Sequence, residues 1–285
     1  MRLPAFESVY GVDFSGARAA GRTTWVARLE PRRSRPGLAL KSLDRLDRVA
    51  GTSERGACLD QLVRLVNESD AALWGIDAPL GLPVELFPAR AAWSHQLAFL
   101  ADWGEDAYGC GLECIRRAKC VGDRRMHIRR TTDVDAKAPF DSYHYRVVYQ
   151  MFYGMRDVAR PLSETPGTAV LPFQYRMLPR AKRVVVECCP SSVLKKLGLS
   201  HQNYKQPAGG PLTCNRRKTR HAILAGLAKL VRIGVRHRRV VMRDPGGDAL
   251  DAIIAAVGAL RGVREADHAA IARHDRYPRE GYLFA

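Results

Sequence analysis

The sequence lacks any apolar run long enough to cross a bilayer as a helix. Its first residues, Met1 to Ala5, also lack the apolar centre of a secretory signal peptide. The seven cysteines are an odd number, and two of them, Cys188 and Cys189, are adjacent, so they do not form a pattern typical of a disulfide framework. These absences predict a cytoplasmic protein in a reducing compartment, with no membrane partner.

Several catalytic signatures are missing as well. The sequence has no Gly-x-Ser-x-Gly elbow, no phosphate-binding Walker loop and no evident Ser-His-Asp arrangement, and it contains no internal repeat or low-complexity tract. Acidic residues are few relative to basic ones, since 46 Lys and Arg stand against 29 Asp and Glu, a net charge of +17. Arginine pairs well with phosphate oxygens, so this balance favours nucleic acid, DNA or RNA, as a partner. The alternative is a compositional bias toward Arg, Ala and Gly.

The apolar pattern predicts an α/β fold with a substantial core, since 46% of the 285 residues are hydrophobic. Three strands are predicted near residues 9–14, 23–30 and 38–43, and their short connections make an antiparallel meander. An amphipathic helix follows, with Thr52 or Ser53 as its cap.

Two further strands are apolar on both faces, which is typical of central strands in a covered sheet. The first runs from residue 71 to Asp77, and the second, near residues 184–189, contains Glu187. A short helix then ends near Gly198, a longer one is predicted from about 219 to 233, and the last begins after Pro245-Gly246-Gly247. Segments 1–88 and 181–285 are predicted to form the core, and 89–180 a mostly helical basic insertion in the same globular unit.

Acidic residues recur where these elements meet. Asp13, Asp77 and Glu187 lie at or near the C-terminal ends of strands, which meet at one rim in a parallel sheet. Asp248 and Asp251 add two carboxylates in the first turn of the last helix. Acids held this close are costly unless a cation neutralises them, and Mg²⁺ or Mn²⁺ suits hard oxygen ligands. We therefore predict Asp13, Asp77, Asp248 and Asp251 as metal ligands, and Glu187 as a further ligand or an orienting acid.

Each acid also has a structural interpretation. Asp13 and Asp77 suit turns before Gly16 and Pro79, and Glu187 suits a cap for the helix that begins at Pro190. Asp248 and Asp251 together resemble a capping box that complements the helix dipole. Because all five acids fall at strand ends or at the start of the last helix, a single shared site is favoured over five separate structural roles.

The element order resembles the ribonuclease-H-like fold shared by ribonuclease H, retroviral integrases and Holliday-junction resolvases. The resemblance implies a mixed five-stranded sheet, three antiparallel strands followed by parallel ones, flanked by helices. The segment Asp248 to Ala252 looks most like the resolvase branch, in which the acid at the position of Asp77 is usually Glu. In ribonuclease H the second acid lies on the first helix, where only Asp60 is available. The sequence therefore does not decide to which branch of the superfamily the chain is more similar.

A closer resemblance is to the family known as domain of unknown function 429, whose members are predicted ribonuclease-H-like nucleases. It is carried by short pieces in a common order: residues 11–17, 75–83, 130–133, 187–190 with 195–198, 204–205, 247–252 and 280–282. The resemblance implies a metal-dependent nuclease.

Two other clusters are candidates for binding. A run of basic residues, with Lys205 further on, is predicted to contact phosphate, although a solvated helical face is the usual interpretation of such a run. Its members are Arg116, Arg117, Arg124, Arg125, Arg129 and Arg130, and Lys137, Tyr143, His144, Tyr145 and Arg146 extend it with aromatics able to stack on unpaired bases. Cys110, Cys114 and Cys120, near His127, have the atoms for zinc but not the paired spacing of a zinc ribbon, which favours free cysteines.

The sequence therefore favours metal-dependent hydrolysis of nucleic-acid phosphodiesters. One alternative is a phosphotransferase of the actin-like ATPase group, in which Asp13 to Gly16 would be a phosphate turn; that fold needs a second similar half, and no repeat is present. The other is a non-catalytic nucleic-acid-binding protein that keeps the acids only for folding.

Overall fold

A single sheet of seven strands organises the protein, whose computed structural model describes residues 3–32, 37–121, 125–206 and 209–285. The strands are β1 (Ser8–Asp13), β2 (Trp25–Pro31), β3 (Leu38–Arg45), β4 (Ala72–Asp77), β5 (Thr168–Leu171), β6 (Arg183–Glu187) and β7 (Val231–Arg232).

Helices cover both faces of this sheet. They are α1 (Ala20–Thr23), α2 (Leu46–Ala50), α3 (Arg55–Glu68), α4 (Trp93–Ala101), α5 (Ala107–Cys120), α6 (Thr131–Asp135), α7 (Val148–Tyr153), α8 (Arg160–Glu164), α9 (Pro190–Lys196), α10 (Cys214–Leu227), α11 (Val235–Arg243), α12 (Asp248–Glu265), α13 (His268–Arg273) and α14 (Tyr277–Glu280). A π-helical stretch, Gly154–Ala159, joins α7 to α8, and 3₁₀ turns lie at Val84–Leu86 and Tyr175–Arg180. No helix in the described ranges combines the length and the apolar character needed to cross a membrane.

The strand order is β5-β6-β4-β1-β2-β3-β7. Strands β1, β2 and β3 form the antiparallel meander, while β4, β6 and β5 continue from β1 in parallel and β7 pairs in parallel with β3. The predicted mixed α/β sheet flanked by helices is confirmed, but the predicted count of five strands is wrong. The two additional strands are only four and two residues long, too short for a recognisable alternation of their own.

Some predicted boundaries also change. The α3 cap is Glu54 rather than Thr52 or Ser53, because its carboxylate accepts hydrogen bonds from the backbone N–H groups of Gly56 and Ala57. Helix α10 starts earlier than expected, capped by Thr213, and ends at Leu227, so that β7 occupies the end of the range predicted as helix.

The longest helix, α12, lies directly on β1. A Cβ atom on Gly11 would stand 2.0 Å from the carbonyl oxygen of Ala252 and 2.3 Å from the amide nitrogen of Ala256. Only glycine permits this approach, because any side chain would collide with helix backbone. The first turn of α12 is thereby placed at the C-terminal ends of the central strands.

The opposite face of the sheet is covered largely by the segment predicted as an insertion. Buried side chains of α4, α5 and α7 pack with those of α3 against it, among them Leu97, Cys110 and Met151. The range 89–180 therefore supplies most of one helical layer, and it also contributes the edge strand β5.

Candidate functional site

Asp13 and Asp77 lie side by side at the ends of β1 and β4. They are direct partners in the parallel register of these strands, whose axes run roughly 4.8 Å apart. Alternation along each strand puts Asp13 on the same face as Gly11, and Asp77 on the same face as Gly75. Both glycines are covered by α12, so both carboxylates face the start of that helix.

Helix α12 brings two more acids to the pair. Gly247, with a φ of 86°, is its N-cap residue, and the carboxylate of Asp244 accepts a hydrogen bond of 2.9 Å from the amide of Ala249. Asp248 is therefore not the N-cap, and capping does not account for its carboxylate. Asp251, one turn further, is only 2% exposed although its side chain is polar.

Two consecutive residues, Tyr204 and Lys205, hold Asp251. The Tyr204 hydroxyl donates to Asp251 Oδ1 over 2.8 Å, and Lys205 Nζ lies 2.5 Å from Asp251 Oδ2 and 3.9 Å from Asp248 Oδ1. Buried Arg220 fixes this loop by donating to the carbonyl oxygen of Tyr204 over 2.6 Å. Lys205, predicted to hold phosphate, lies among the acids instead, with 43% of its side chain exposed.

The acidic side chains of the site outnumber the nearby cations that could neutralise them. Burial and the charge of Asp251 raise the pKa of Asp77 to about 8, against the pull of Lys205. Burial likewise raises the pKa of Asp248 to about 6 and that of Asp13 well above its usual value. Burial works to lower the pKa of Lys205, but the carboxylates of Asp251 and Asp13 outweigh it and raise that pKa. The ammonium group of Lys205 is thus the cation that these acids share.

The structure does not bring Glu187 into this group of acids. Alternation along β6 turns Glu187 away from α12, since Val184 and Val186 occupy that face. Its carboxylate forms a bidentate ion pair with Arg130, at 2.8 and 2.5 Å, and accepts from the amide of Leu80 at 2.9 Å. These partners engage both carboxylate oxygens, and Glu187 also lines the cavity beside Asp77, so its role as a further ligand or an orienting acid stays a prediction.

Arg130, predicted to contact nucleic acid, is only 1% exposed. Its guanidinium group pairs with Asp133 as well as with Glu187, and it also donates to the backbone carbonyl of Glu280. With every nitrogen engaged, Arg130 joins α6, β6 and the C-terminal segment, and it has no free donor for phosphate.

The rest of the predicted basic cluster is dispersed. Arg116 and Arg117 both pair with Glu113 on α5, and Arg117 also lies over the ring of Phe99. Arg129 and Arg125 are exposed, and Arg129 donates to the backbone carbonyls of Asp133 and Ala138. Arg124 lies outside the described residues. Of the described members of the run, only Arg130 lines the cavity beside the acids, but Arg146 and Lys205, predicted to extend the phosphate contacts, line it as well.

That cavity has a volume of about 900 Å³ and opens beside Asp77 and Asp251. Besides Arg130 and Lys205, its wall carries three more cations, Arg146, Lys195 and Arg216. Phe140 also lines it, stacked on His144 and 5.5 Å from the guanidinium carbon of Arg146. The cavity therefore combines an acidic floor with a basic and aromatic rim.

The predicted cysteine cluster is not a metal centre in the described part of the chain, which contains no group of three His, Cys, Asp or Glu side chains arranged to hold an ion. Cys110 and Cys114 are buried one helical turn apart in α5, and Cys120 is exposed at its end. A hydrogen bond to Cys110, together with burial, raises the pKa of the Cys114 thiol. These are free thiols.

The four aspartates nevertheless fit a divalent cation in their chemistry. They offer hard oxygen donors, and burial together with the neighbouring carboxylates raises the pKa of Asp13 and of Asp77. Their present arrangement is not that of a preformed ligand group, and Lys205 stands against Asp251. Binding would therefore require side-chain rotation and displacement of the Lys205 ammonium group.

Comparison with protein families supports one of the resemblances. Residues 169–274 match the model of a family described as protein of unknown function (DUF429). The matched range contains Glu187, Lys205, Asp248 and Asp251 but not Asp13 or Asp77. No curated protein and no solved structure matches the chain significantly.

Proposed function

We propose that the protein is a nuclease that hydrolyses phosphodiester bonds of nucleic acid with the help of bound Mg²⁺ or Mn²⁺. The observation that supports this most directly is the pairing of Asp13 with Asp77 beneath the first turn of α12, which carries Asp251. Asp77 and Asp251 line a cavity with a basic wall. The succession from β1 to β4, then β6 and α12, also follows the element order expected of a ribonuclease-H-like protein.

Each group has a role in this proposal. Asp13, Asp77 and Asp251 would hold the cation, with Asp248 at the edge of the site. When bound, such a cation lowers the pKa of an attacking water and stabilises charge on the leaving oxygen. Arg146, Lys195 and Arg216 would bind phosphates that flank the reacting one, and Tyr204 orients Asp251 through its hydrogen bond.

Asp60 is the acid that distinguishes the branches of the superfamily. It lies on α3, which packs on the face of the sheet opposite to α12, beside a separate surface cavity with Arg156 and Asp157. This placement supports a site of the resolvase type, with the acids on the two central strands and the last helix.

The test uses purified protein with Mn²⁺ and labelled single-stranded, duplex, hybrid and branched substrates. We expect cleavage of at least one substrate, a loss of about 100-fold or more in Asp13→Asn, and near-normal activity in the matched variant Asp60→Asn. Absence of cleavage on all four substrates overturns the proposal. Equal losses in the two variants would place the active site elsewhere.

A further inference from the structure

The segment between Lys205 and Asp244 belongs to the longest stretch of the chain without an acidic residue, which does not include the cluster around Arg116. It contains no Asp or Glu and ten Lys and Arg residues. Eight of these are exposed, and six of the eight make up what we call the α10–α11 basic surface: Arg217, Lys218, Arg232, Arg236, Arg239 and Arg243.

These six side chains have no ion-paired carboxylate partner among the described residues. No ion pair joins any of them to an acid within the described ranges, whereas Arg116 and Arg130 pair with Glu113 and Glu187. Arg236, Arg239 and Arg243 recur at helical spacing on one side of α11, across roughly 10 Å of helix. Repulsion among unneutralised charges of this density favours a polyanionic partner.

Elements that carry the basic surface are linked to the acid cavity. Buried Arg220 on α10 donates to the carbonyl oxygens of Tyr204 and Val241, at 2.6 Å each, and so joins α10, α11 and the loop that holds Asp251. Arg216, one turn before Arg220, lies on the cavity wall and donates to Gln206. A strand lying along α10 and α11 would therefore reach the cavity.

We propose that the α10–α11 basic surface binds the phosphodiester backbone of a nucleic acid and guides it into the cavity beside Asp77 and Asp251. Successive phosphates along a strand match cations repeated along a helix, and arginine forks bind phosphate in two places. The proposal rests on the proposed nuclease function only in naming the cavity as the destination.

The chemistry of α11 argues against a membrane surface as the partner. An interfacial helix needs an apolar face that is free to enter the lipid. In α11 that face is already used, since Val241 is buried and Val240 and Met242 pack against the core. The exposed side carries charge.

The decisive experiment measures binding of labelled DNA and RNA strands in EDTA, so that no cleavage occurs. The test variant combines Arg236→Gln, Arg239→Gln and Arg243→Gln. Its control removes the same charge elsewhere, through Arg64→Gln, Arg176→Gln and Arg180→Gln. Arg64 is exposed on α3, and Arg176 and Arg180 are exposed beside β5, the strand at the opposite edge of the sheet from β7.

We expect the test variant to bind about tenfold or more weakly near 0.1 M salt, with the slope of log K against log salt reduced by about 2, and the control to bind within about twofold of wild type. Equal losses in both variants would show that binding follows net charge alone and would overturn the proposal. Unchanged binding by the test variant, or tighter binding to anionic vesicles than to nucleic acid, would also overturn it.

Cleavage with Mn²⁺ separates this inference from the proposed function. If the test variant loses binding and no preparation cleaves, the docking surface stands and the nuclease proposal fails. If wild type cleaves and the test variant keeps the same kcat/KM, the nuclease proposal stands and the docking surface fails.

Discussion

Asp13 and Asp77 are register partners on neighbouring parallel strands, and both face the start of α12. The metal-free protein holds Asp77 with a pKa raised to about 8 by burial and by the charge of Asp251. Carboxyl groups with pKa values raised in this way are typical of functional sites.

The stability of the metal-free protein should depend on this carboxyl group. Between its ordinary pKa near 4 and its folded value of about 8, the folded state holds a proton that the unfolded chain releases, so stability falls as pH rises. In EDTA, Asp77→Asn should therefore be more stable than wild type at pH 8, by on the order of 1–3 kcal/mol, and similar to it at pH 5. Thermal denaturation at the two pH values measures this. A variant that is less stable at pH 8 would contradict it.

Lys205 should compete with a divalent cation. Its ammonium group lies 2.5 Å from Asp251, so Lys205→Met removes the cation that the acids share. We expect Mn²⁺ to bind this variant about tenfold more tightly at pH 8, which corresponds to about 1.4 kcal/mol of additional stabilisation in a thermal-shift titration. Lys195→Met is the control, because Lys195 lines the same cavity but donates to the carbonyl of Lys137. Equal Mn²⁺ affinity in wild type and Lys205→Met would refute this role.

Arg130 should matter for folding rather than for binding. Replacing it by Gln leaves Asp133 and Glu187 buried without their counterion, at a cost of about 3–5 kcal/mol. Arg146→Gln, at the exposed rim of the cavity, should change stability by less than about 0.5 kcal/mol but weaken nucleic-acid binding. Urea denaturation of both variants distinguishes the two roles, and comparable stabilities would show that the Arg130 ion pairs contribute little.

Gly11 should be essential for the position of α12. Gly11→Ala places a methyl group against the backbone of Ala252 and Ala256, and we expect a loss of at least about 2 kcal/mol together with loss of activity, because Asp251 moves with the helix. Gly234→Ala is the control: its Cβ would meet no atom within 4 Å, and its φ of −68° suits alanine, so stability should stay within about 1 kcal/mol of wild type. A small effect at Gly11 would mean that α12 can shift without consequence for the site.

The sequence alone does not predict which side of the sheet Glu187 faces. Its strand is apolar on both faces, so the pattern marks a central strand but not which side each residue faces. Alternation in the folded sheet sends Asp13 and Asp77 to α12 and sends Glu187 to Arg130. Tyr204 is not among the predicted site residues for a related reason: its contact with Asp251 joins positions 47 apart in the chain, and the local signals were its adjacency to Lys205 and its place in the family-like piece 204–205.

The amino-acid sequence by itself determined the meander, the two central strands that end near acids and the last amphipathic helix, because apolar periodicity is a local property of the chain. It also determined the excess of positive charge. Only the tertiary structure decided which acids share a site, that the Lys205 ammonium group lies among them, and that Arg220 joins α10 and α11 to the loop that holds Asp251. These relationships depend on the register of β1 and β4, which pairs residues 64 positions apart, and on the packing of α12 against Gly11, which joins residues more than 240 positions apart.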